Sequence, residues 1–425
     1  MEEMMNRRRT GIIGGGAAGM MAAIAAADER NGAPDEVVIL EKKERIGKKI
    51  LVTGNGKCNL TNLSFSMEKI GEYYHGAPPE RLRPLFSRFS AKDTIRFFEH
   101  LGMLTTSRDG YIYPLSGQAS TVLDTLRFEL ERLKVRVMTE CRIETIRPQK
   151  GGGWLVRTPE EDLRFDRLIL ACGSPAGQKP GEGMDGYAFA SALGHRVNPP
   201  VPALAALRCE GDLWKSLAGV RCSASIRLFT RQKGKRNAPV REYAEEGELQ
   251  LTDYGISGIP VFQLSRHAAL SLAQGGQVWG QIDFLPSFSG KKEAYAALMQ
   301  RRISACTGRS LEVLFCGLAN RKILLSLFKK NGLKPQDPVD GKHLEAIRQV
   351  FSDLRCFPVR IRQVNPFSGA QVCAGGVAFD EVTDRLESRK HPGLFFAGEL
   401  LDVDARCGGY NLQWAWTSGF IAGRG

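Results

Sequence analysis

Thr10-Gly11-Ile12-Ile13-Gly14-Gly15-Gly16-Ala17-Ala18-Gly19 is the stretch on which the fold turns. Its first four residues read as a short strand, and Met20 to Ala27 behind it is an alanine-rich run of high helix propensity. Each glycine of such a strand–turn–helix has a job. Gly14 makes the tight turn, Gly16 lets backbone approach a pyrophosphate, and Gly19 lets helix pack on strand. Ala17 and Ala18 lie in the first helical turn, whose free N–H groups and partial positive charge face the phosphates. A second strand, Val37 to Leu40, ends at Glu41, about twenty residues past the last glycine, where an acid accepts hydrogen bonds from adenosine ribose hydroxyls. The same spacing recurs at Gly181, Gly183 and Gly186. It is not read as a second dinucleotide domain, because Pro175 and Pro180 separate it from the preceding strand and no acid-terminated strand follows.

The next segment separates FAD from NAD. Ile46 to Asn62, including Lys49, Gly54-Asn55-Gly56, Cys58, Asn59 and Thr61, is dense in glycine, amide and hydroxyl groups, and with Lys42 it supplies contacts that an extended flavin needs. A simple NAD dehydrogenase has no use for such a segment there. Arg164 to Ala171 reads as a buried strand delivering Cys172-Gly173-Ser174, and so Gly173, to the cofactor. Near the other end, Gly393 to Phe396 is a strand that breaks at Gly398, with Glu399 placed for ribityl hydroxyls. Then Cys407-Gly408-Gly409-Tyr410-Asn411-Leu412 leads into a last helix, Trp414 to Ala422. Gly409, Asn411 and Leu412 bring that helix's amino-terminus to the flavin N1 and O2, where it stabilises the reduced, anionic ring.

A chain of 425 residues exceeds what one core organises, and 43% apolar with 25% charged residues excludes wholesale disorder. Ten cysteines without CxxC or paired Cys/His spacing suggest neither a zinc site nor a disulfide framework, so no metal and a cytoplasmic location are expected. Arg7, Arg8 and Arg9 before the apolar run Gly11 to Ala27 mimic a signal peptide. The glycine placement argues against that reading, and the run is too short and glycine-rich for a membrane span. The net charge of +13 favours anionic ligands. With the charges read as dispersed and no RNA- or DNA-binding motif visible, nucleic acid is the lesser expectation, kept as a rival in the form of a tRNA- or nucleic-acid-binding flavoprotein.

Residues 91–133 carry helical periodicity, with Ser90 and Asp93 spaced as a capping box and Gly102 as a stop. Short strands are expected at Lys134 to Met138, Arg142 to Arg147 and Trp154 to Arg157. The fold class is α/β: a Rossmann-type FAD-binding domain built from both chain ends, 1–198 and 356–425, with an inserted substrate domain, 199–355, that is β-rich over 199–286 and helical over 287–355.

The glycine turn with Glu41, the run KILVTGNGKCNLTN, the segment AGGVAFDEV and the ending GLFFAGELLDVDARCGGYNLQWAWTSGFIAG resemble the bacterial flavoproteins that include aminoacetone oxidases and 3-dehydro-bile-acid delta(4,6)-reductase. The resemblance spans nearly the whole chain. Cys373, where threonine is usual, and Ala171-Cys172-Gly173-Ser174, where Ala-Thr-Gly-Gly is usual, depart from the pattern. It implies that Val137 offers backbone to the adenine, that the insert comprises a small β-barrel and a helical subdomain, and that the substrate lies in a cleft between insert and flavin domain. It also implies hydride transfer at flavin N5 to a small, anionic or steroid-like enone, with NAD(P)H as a transient reductant since no separate domain for it is evident. Oxidation of an amine by oxygen is the alternative. No general acid is named. Cys58, Cys373, Cys407 and Tyr410 approach the flavin by motif position, and the thiols are read as packing residues.

Overall fold

The computed structural model describes residues 8–28, 35–233 and 239–425. The chain divides into two units, residues 1–200 with 372–425, and residues 201–371.

The first unit is built on a parallel sheet whose strands run in the order Leu394–Phe396, Arg167–Leu170, Arg9–Ile13, Glu36–Leu40, Arg136–Met138. The inner strands are covered on both faces, so their centres are apolar, as in Val37 to Leu40 and Leu168 to Leu170, while the edge strand Arg136–Met138 stays partly exposed. Successive side chains point to opposite faces. Ile13, Val38, Leu40 and Leu170 enter one core with Phe86 and Trp154, while Ile12, Ile39 and Ile169 enter another with Met20, Met21 and Trp416. That second core lies under two helices, an opening one, Ala17–Ala27, and a closing one, Tyr410–Arg424. Their backbones nearly touch: a Cβ on Gly419 would stand 2.4 Å from the Ala18 carbonyl oxygen, and one on Gly423 2.4 Å from that of Ala22.

Arg167 caps the far end of the closing helix. Its guanidinium donates to the carbonyls of Ala422 and, at 2.9 Å, Gly423, and lies 4.3 Å from the Phe395 ring centroid and 3.7 Å from Asp35. Carbonyls of the last turn that have no helical partner are satisfied by a cation favoured at that pole. Burial, followed by nearby Arg8, lowers the Arg167 pKa to about 10, with Asp35 opposing, so it stays charged at neutral pH.

The helical periodicity over 91–133 forms two helices, Ala91–His100, which ends before the expected stop at Gly102, and Ala119–Arg132, and the stretch between them is corrected to the hairpin Thr105–Arg108 and Tyr111–Pro114. The Ser90–Asp93 capping box forms in both directions, Asp93 N to Ser90 Oγ at 3.3 Å and Ser90 N to Asp93 Oδ2 at 2.9 Å. Arg164 to Ala171 also divides. Asp162–Phe165 pairs antiparallel with Trp154–Arg157, and only Arg167–Leu170 enters the parallel sheet. No strand lies between Leu170 and Asp185, as the rejection of the second glycine pattern requires.

The second unit is a closed antiparallel barrel in the order Leu207–Cys209, Gly255–Ser257, Arg241–Thr252, Arg221–Arg231, Gln277–Asp283, Phe357–Val364. The last strand returns to pair with the first, Leu207 opposite Val364. The expected return to the flavin domain at 356 is therefore corrected to 372, because Phe357–Val364 closes the barrel instead. A helix, Ile259–Ala273, interrupts the part read as β-rich and buries Val261, Leu264 and Ala268. The part read as helical holds Lys292–Ala305, Leu311–Phe315, Arg321–Lys330 and Leu344–Arg355.

Candidate cofactor site

Three glycines of the opening turn differ in what surrounds them. Gly14 has φ +105, and a Cβ there would stand 2.5 Å from the Ala171 carbonyl oxygen. On Gly19 it would stand 1.9 Å from the Gly14 carbonyl oxygen, so the helix packs on the turn only without a side chain. At Gly16 it would meet nothing within 4 Å. That open side coincides with the amino-terminus of the opening helix, which has no side-chain cap. Ala17 and Ala18 form its first turn.

Glu41 closes the turn from the neighbouring strand. Its Oε2 accepts from the Gly15 N–H at 2.8 Å and its Oε1 from the Lys43 N–H at 2.9 Å. The role of the Gly15 amide was not read from the sequence. Beside it, the Glu41 N–H donates to the Met138 carbonyl at 2.9 Å, which brings Val137, 37% exposed on the edge strand, to the same region. Lys42 turns toward Asp185, 2.6 Å away, and is engaged there.

The acid after the other strand is held from two sides. Glu399 Oε2 accepts from Lys49 Nζ at 2.7 Å and from Ser174 Oγ at 2.6 Å. Lys49, Glu399 and the Gly173-Ser174 turn therefore meet across three distant stretches of sequence. Gly173, at φ +72, has no heavy atom within 4 Å of where a Cβ would stand. Gly398 is stitched to the closing helix, its N–H donating to Ser418 Oγ at 2.9 Å and its carbonyl accepting from Trp414 Nε1 at 3.0 Å. Ser174 and Ser418 are partners that sequence reasoning missed.

At the amino-terminus of the closing helix, Gly409 has φ +91, and a Cβ would stand 2.8 Å from Asn59 Oδ1 and from the Thr61 carbonyl oxygen. This helix end also has no side-chain cap. Asn59 Oδ1 and Thr61 Oγ1 are buried and have no hydrogen-bond partner among the described residues. Such orphaned atoms are costly unless a ligand satisfies them. Asn411, by contrast, uses its side chain on the turn before it, accepting from Ala405 N–H at 2.9 Å and donating to Ala405 O at 2.9 Å. Leu412 packs partly against the apolar core.

The thiols behave as packing groups. Burial pushes Cys58 up to about 11, with a Thr53 hydrogen bond opposing, and Cys172 and Cys373 up to about 12. Burial likewise raises Cys407. Burial and then neighbouring Tyr73 raise Tyr410 to about 12. All are protonated at neutral pH. Among the described residues no group of three or more His, Cys, Asp or Glu could hold a metal ion, and no helix is long and apolar enough to cross a membrane.

A parallel sheet opened by this glycine turn, two uncapped helix ends and two acids at strand ends define a Rossmann-type flavoprotein oxidoreductase. The family model of the HI0933-like protein Rossmann domain matches residues 8–425, and the chain belongs to that family. It is 42% identical over 389 residues to the 3-dehydro-bile acid delta(4,6)-reductase of Clostridium scindens, covering 91% of each protein. It is 27% identical over 389 residues to the ribosomal RNA dihydrouridine synthase of Escherichia coli, covering 89% of each. Among solved structures, 3-ketosteroid delta1-dehydrogenase from Sterolibacterium denitrificans aligns over 99% of both chains with a TM-score of 0.50 at 14% identity, a likeness of fold.

Proposed function

We propose that the chain reduces a carbon–carbon double bond conjugated to a ketone in a steroid-like substrate such as a 3-oxo bile-acid intermediate, with FAD as cofactor and NAD(P)H as transient donor. The observation that carries this reading is the 42% identity to a bile-acid reductase over 91% of the chain. The more distant relative supports the reaction class. A dihydrouridine synthase saturates a ring double bond conjugated to a carbonyl, so both names describe the same bond change on unlike substrates.

When bound, FAD supplies two-electron hydride chemistry at N5. The residues present fit it. Glu41 would hold the adenosine ribose, with Val137 offering backbone to the adenine, and the opening helix would face the pyrophosphate past Gly16. Glu399, kept in place by Lys49 and Ser174, would hold ribityl hydroxyls. Asn59 and Thr61 would give their unpartnered oxygens to the ring's polar edge, beside the uncapped end of the closing helix.

The test is anaerobic mixing of the flavin-loaded protein with NADH or NADPH, then with a 3-oxo-Δ4 steroid acid. Bleaching by the nicotinamide and return of the flavin absorbance with the enone is the expected result. Return with oxygen but not with any enone, together with bleaching by an amine, would establish an oxidase instead.

A further inference from the structure

The positive charge is not dispersed, as the sequence alone suggested. Residues 201–371 hold 25 Lys and Arg against 14 Asp and Glu, a net of +11, while the rest of the chain holds 34 against 32, a net of +2. The basic excess belongs to the unit without the dinucleotide motif.

Part of it is organised on the outer face of the barrel. Along Arg221–Arg231, Arg227, Phe229 and Arg231 alternate with the buried Ile226, Leu228 and Thr230 and therefore point outward. The strand Gln277–Asp283 sets Trp279 opposite Phe229, and Phe357–Val364 sets Arg360 opposite Trp279. The two rings stack at 5.8 Å with an interplanar angle of 19°. The Arg231 guanidinium lies 5.5 Å from the Trp279 ring centroid, and its buried Nε has no hydrogen-bond partner among the described residues. Arg360 and Arg362, both exposed and on one face of their strand, form no ion pair among the described residues. The patch has an edge: Glu242 lies opposite Phe229 and 3.9 Å from Arg227, which also donates to Gln281 Oε1 at 2.7 Å.

A cross-strand aromatic pair can serve sheet stability alone. That role does not call for cations around the rings, an unpartnered guanidinium nitrogen, or two further arginines in line that form no ion pair among the described residues, even though Glu210 lies across from Arg360. Half-buried rings on the outer face of a barrel, flanked by arginines, match what an unpaired base and its phosphates need, a π-face to stack on and cations along the backbone.

We infer that this outer face of the barrel binds a single-stranded polynucleotide, with bases stacked on Trp279 and Phe229 and phosphates held by Arg231, Arg360 and Arg362. The surface is independent of the proposed reduction, and its test leaves the flavin chemistry untouched. Fluorescence anisotropy of the full chain would be followed with labelled twelve-nucleotide oligo(U), oligo(dT) and a duplex of that length, across a salt series. Both single strands bind better than the duplex, and log K falls with log salt with a slope of about −2, from about −0.7 for each of three arginines. Trp279→Ala weakens binding about 5- to 150-fold, corresponding to one lost stacking contact. Trp279→Phe restores most of it and keeps the test informative if the alanine variant misfolds. Arg360→Gln with Arg362→Gln flattens the slope by about 1.4. Wild-type affinity in a folded Trp279→Ala protein overturns the inference, as does equal affinity for the duplex. Binding to anionic phospholipid vesicles with none to either oligonucleotide also overturns it.

Discussion

Replacing Gly409 with valine tests whether the closing helix acts on the electronics of a bound flavin as well as on folding. The glycine has φ +91 and ψ −12, a left-handed conformation that costs a β-branched residue about 1 to 2 kcal/mol. Space is short as well. A Cβ would begin 2.8 Å from Asn59 Oδ1 and from the Thr61 carbonyl, tighter than ordinary van der Waals contact, before the valine methyls are counted. The helix start must move off the Asn59–Thr61 backbone. Farther along, Trp416 Nε1 bonded to the Leu60 carbonyl at 3.0 Å and the Arg167 cap hold the helix, so the movement is confined to its first turn. The amides of that turn are the positive pole. Withdrawing it from a reduced, anionic ring removes about 1 to 2 kcal/mol of stabilisation. At about 30 mV per 1.4 kcal/mol for a two-electron couple, the potential falls by about 20 to 45 mV. Dye-coupled redox titration beside the wild type reads this shift directly. An unchanged potential in a variant that folds and retains FAD would refute the placement of the helix end at the ring.

Glu41→Ala should weaken FAD binding by about 1 to 3 kcal/mol through lost charge-assisted hydrogen bonds, read by flavin release in a dilution series, and unchanged affinity would remove this acid from the ribose site. Cys58→Ser should keep its FAD and its reducibility, since a buried thiol at about 11 is neutral and unreactive, and a variant that holds flavin yet cannot be reduced would make Cys58 a redox partner. His267, stacked on Tyr243 at 3.6 Å, is lowered to about 4 by burial and then by Arg266. The unfolded chain takes this proton near 6.5 while the folded chain refuses it, so stability is complete above about 6.5 and is lost as pH falls toward about 4, by about 1 to 3 kcal/mol. His267→Gln should flatten that part of the thermal-melting profile between pH 7 and 4.5, and parallel profiles for the two proteins would dismiss the histidine as its cause.

What could be read from the chain depended on whether the signal was local. Gly14 and Gly19 answer to nearby backbone carbonyls and Glu41 to the Gly15 amide, and the Ser90–Asp93 box closes within one turn. The hairpin within 91–133 was also announced locally, by Asp109-Gly110 between two strand-like runs, but the helical periodicity on either side masked it. Phe357–Val364 is a different case. Its alternation marks a strand, yet nothing in eight residues says whether the partner is a barrel strand or the parallel sheet, so the return point was misplaced. The Lys49–Glu399–Ser174 cluster joins stretches more than a hundred residues apart, and only folding brings them together. Asn411 lay in the expected place, but its amide reaches back to Ala405, a choice set by the local turn geometry. The uneven charge could already be counted over the expected insert, 199–355, with 23 Lys and Arg against 14 Asp and Glu, whereas the alignment of arginines and rings on one face came only with the barrel.

The barrel's first and last strands are paired, with Leu207 opposite Val364, and the Asn365 N–H bonds the Ala206 carbonyl at 2.9 Å. The chain thus leaves this unit beside the point where it entered. Left flexible, a loop of this length would set the closing strand of the parallel sheet back by on the order of 4 to 5 kcal/mol in closure entropy. A folded barrel has already brought those ends together, so the closing strand Leu394–Phe396 is tethered to the four earlier strands as if by a short linker. Such an arrangement behaves as a cassette. Its contents can diverge, shrink or be exchanged between the same two junctions while the dinucleotide fold keeps its register.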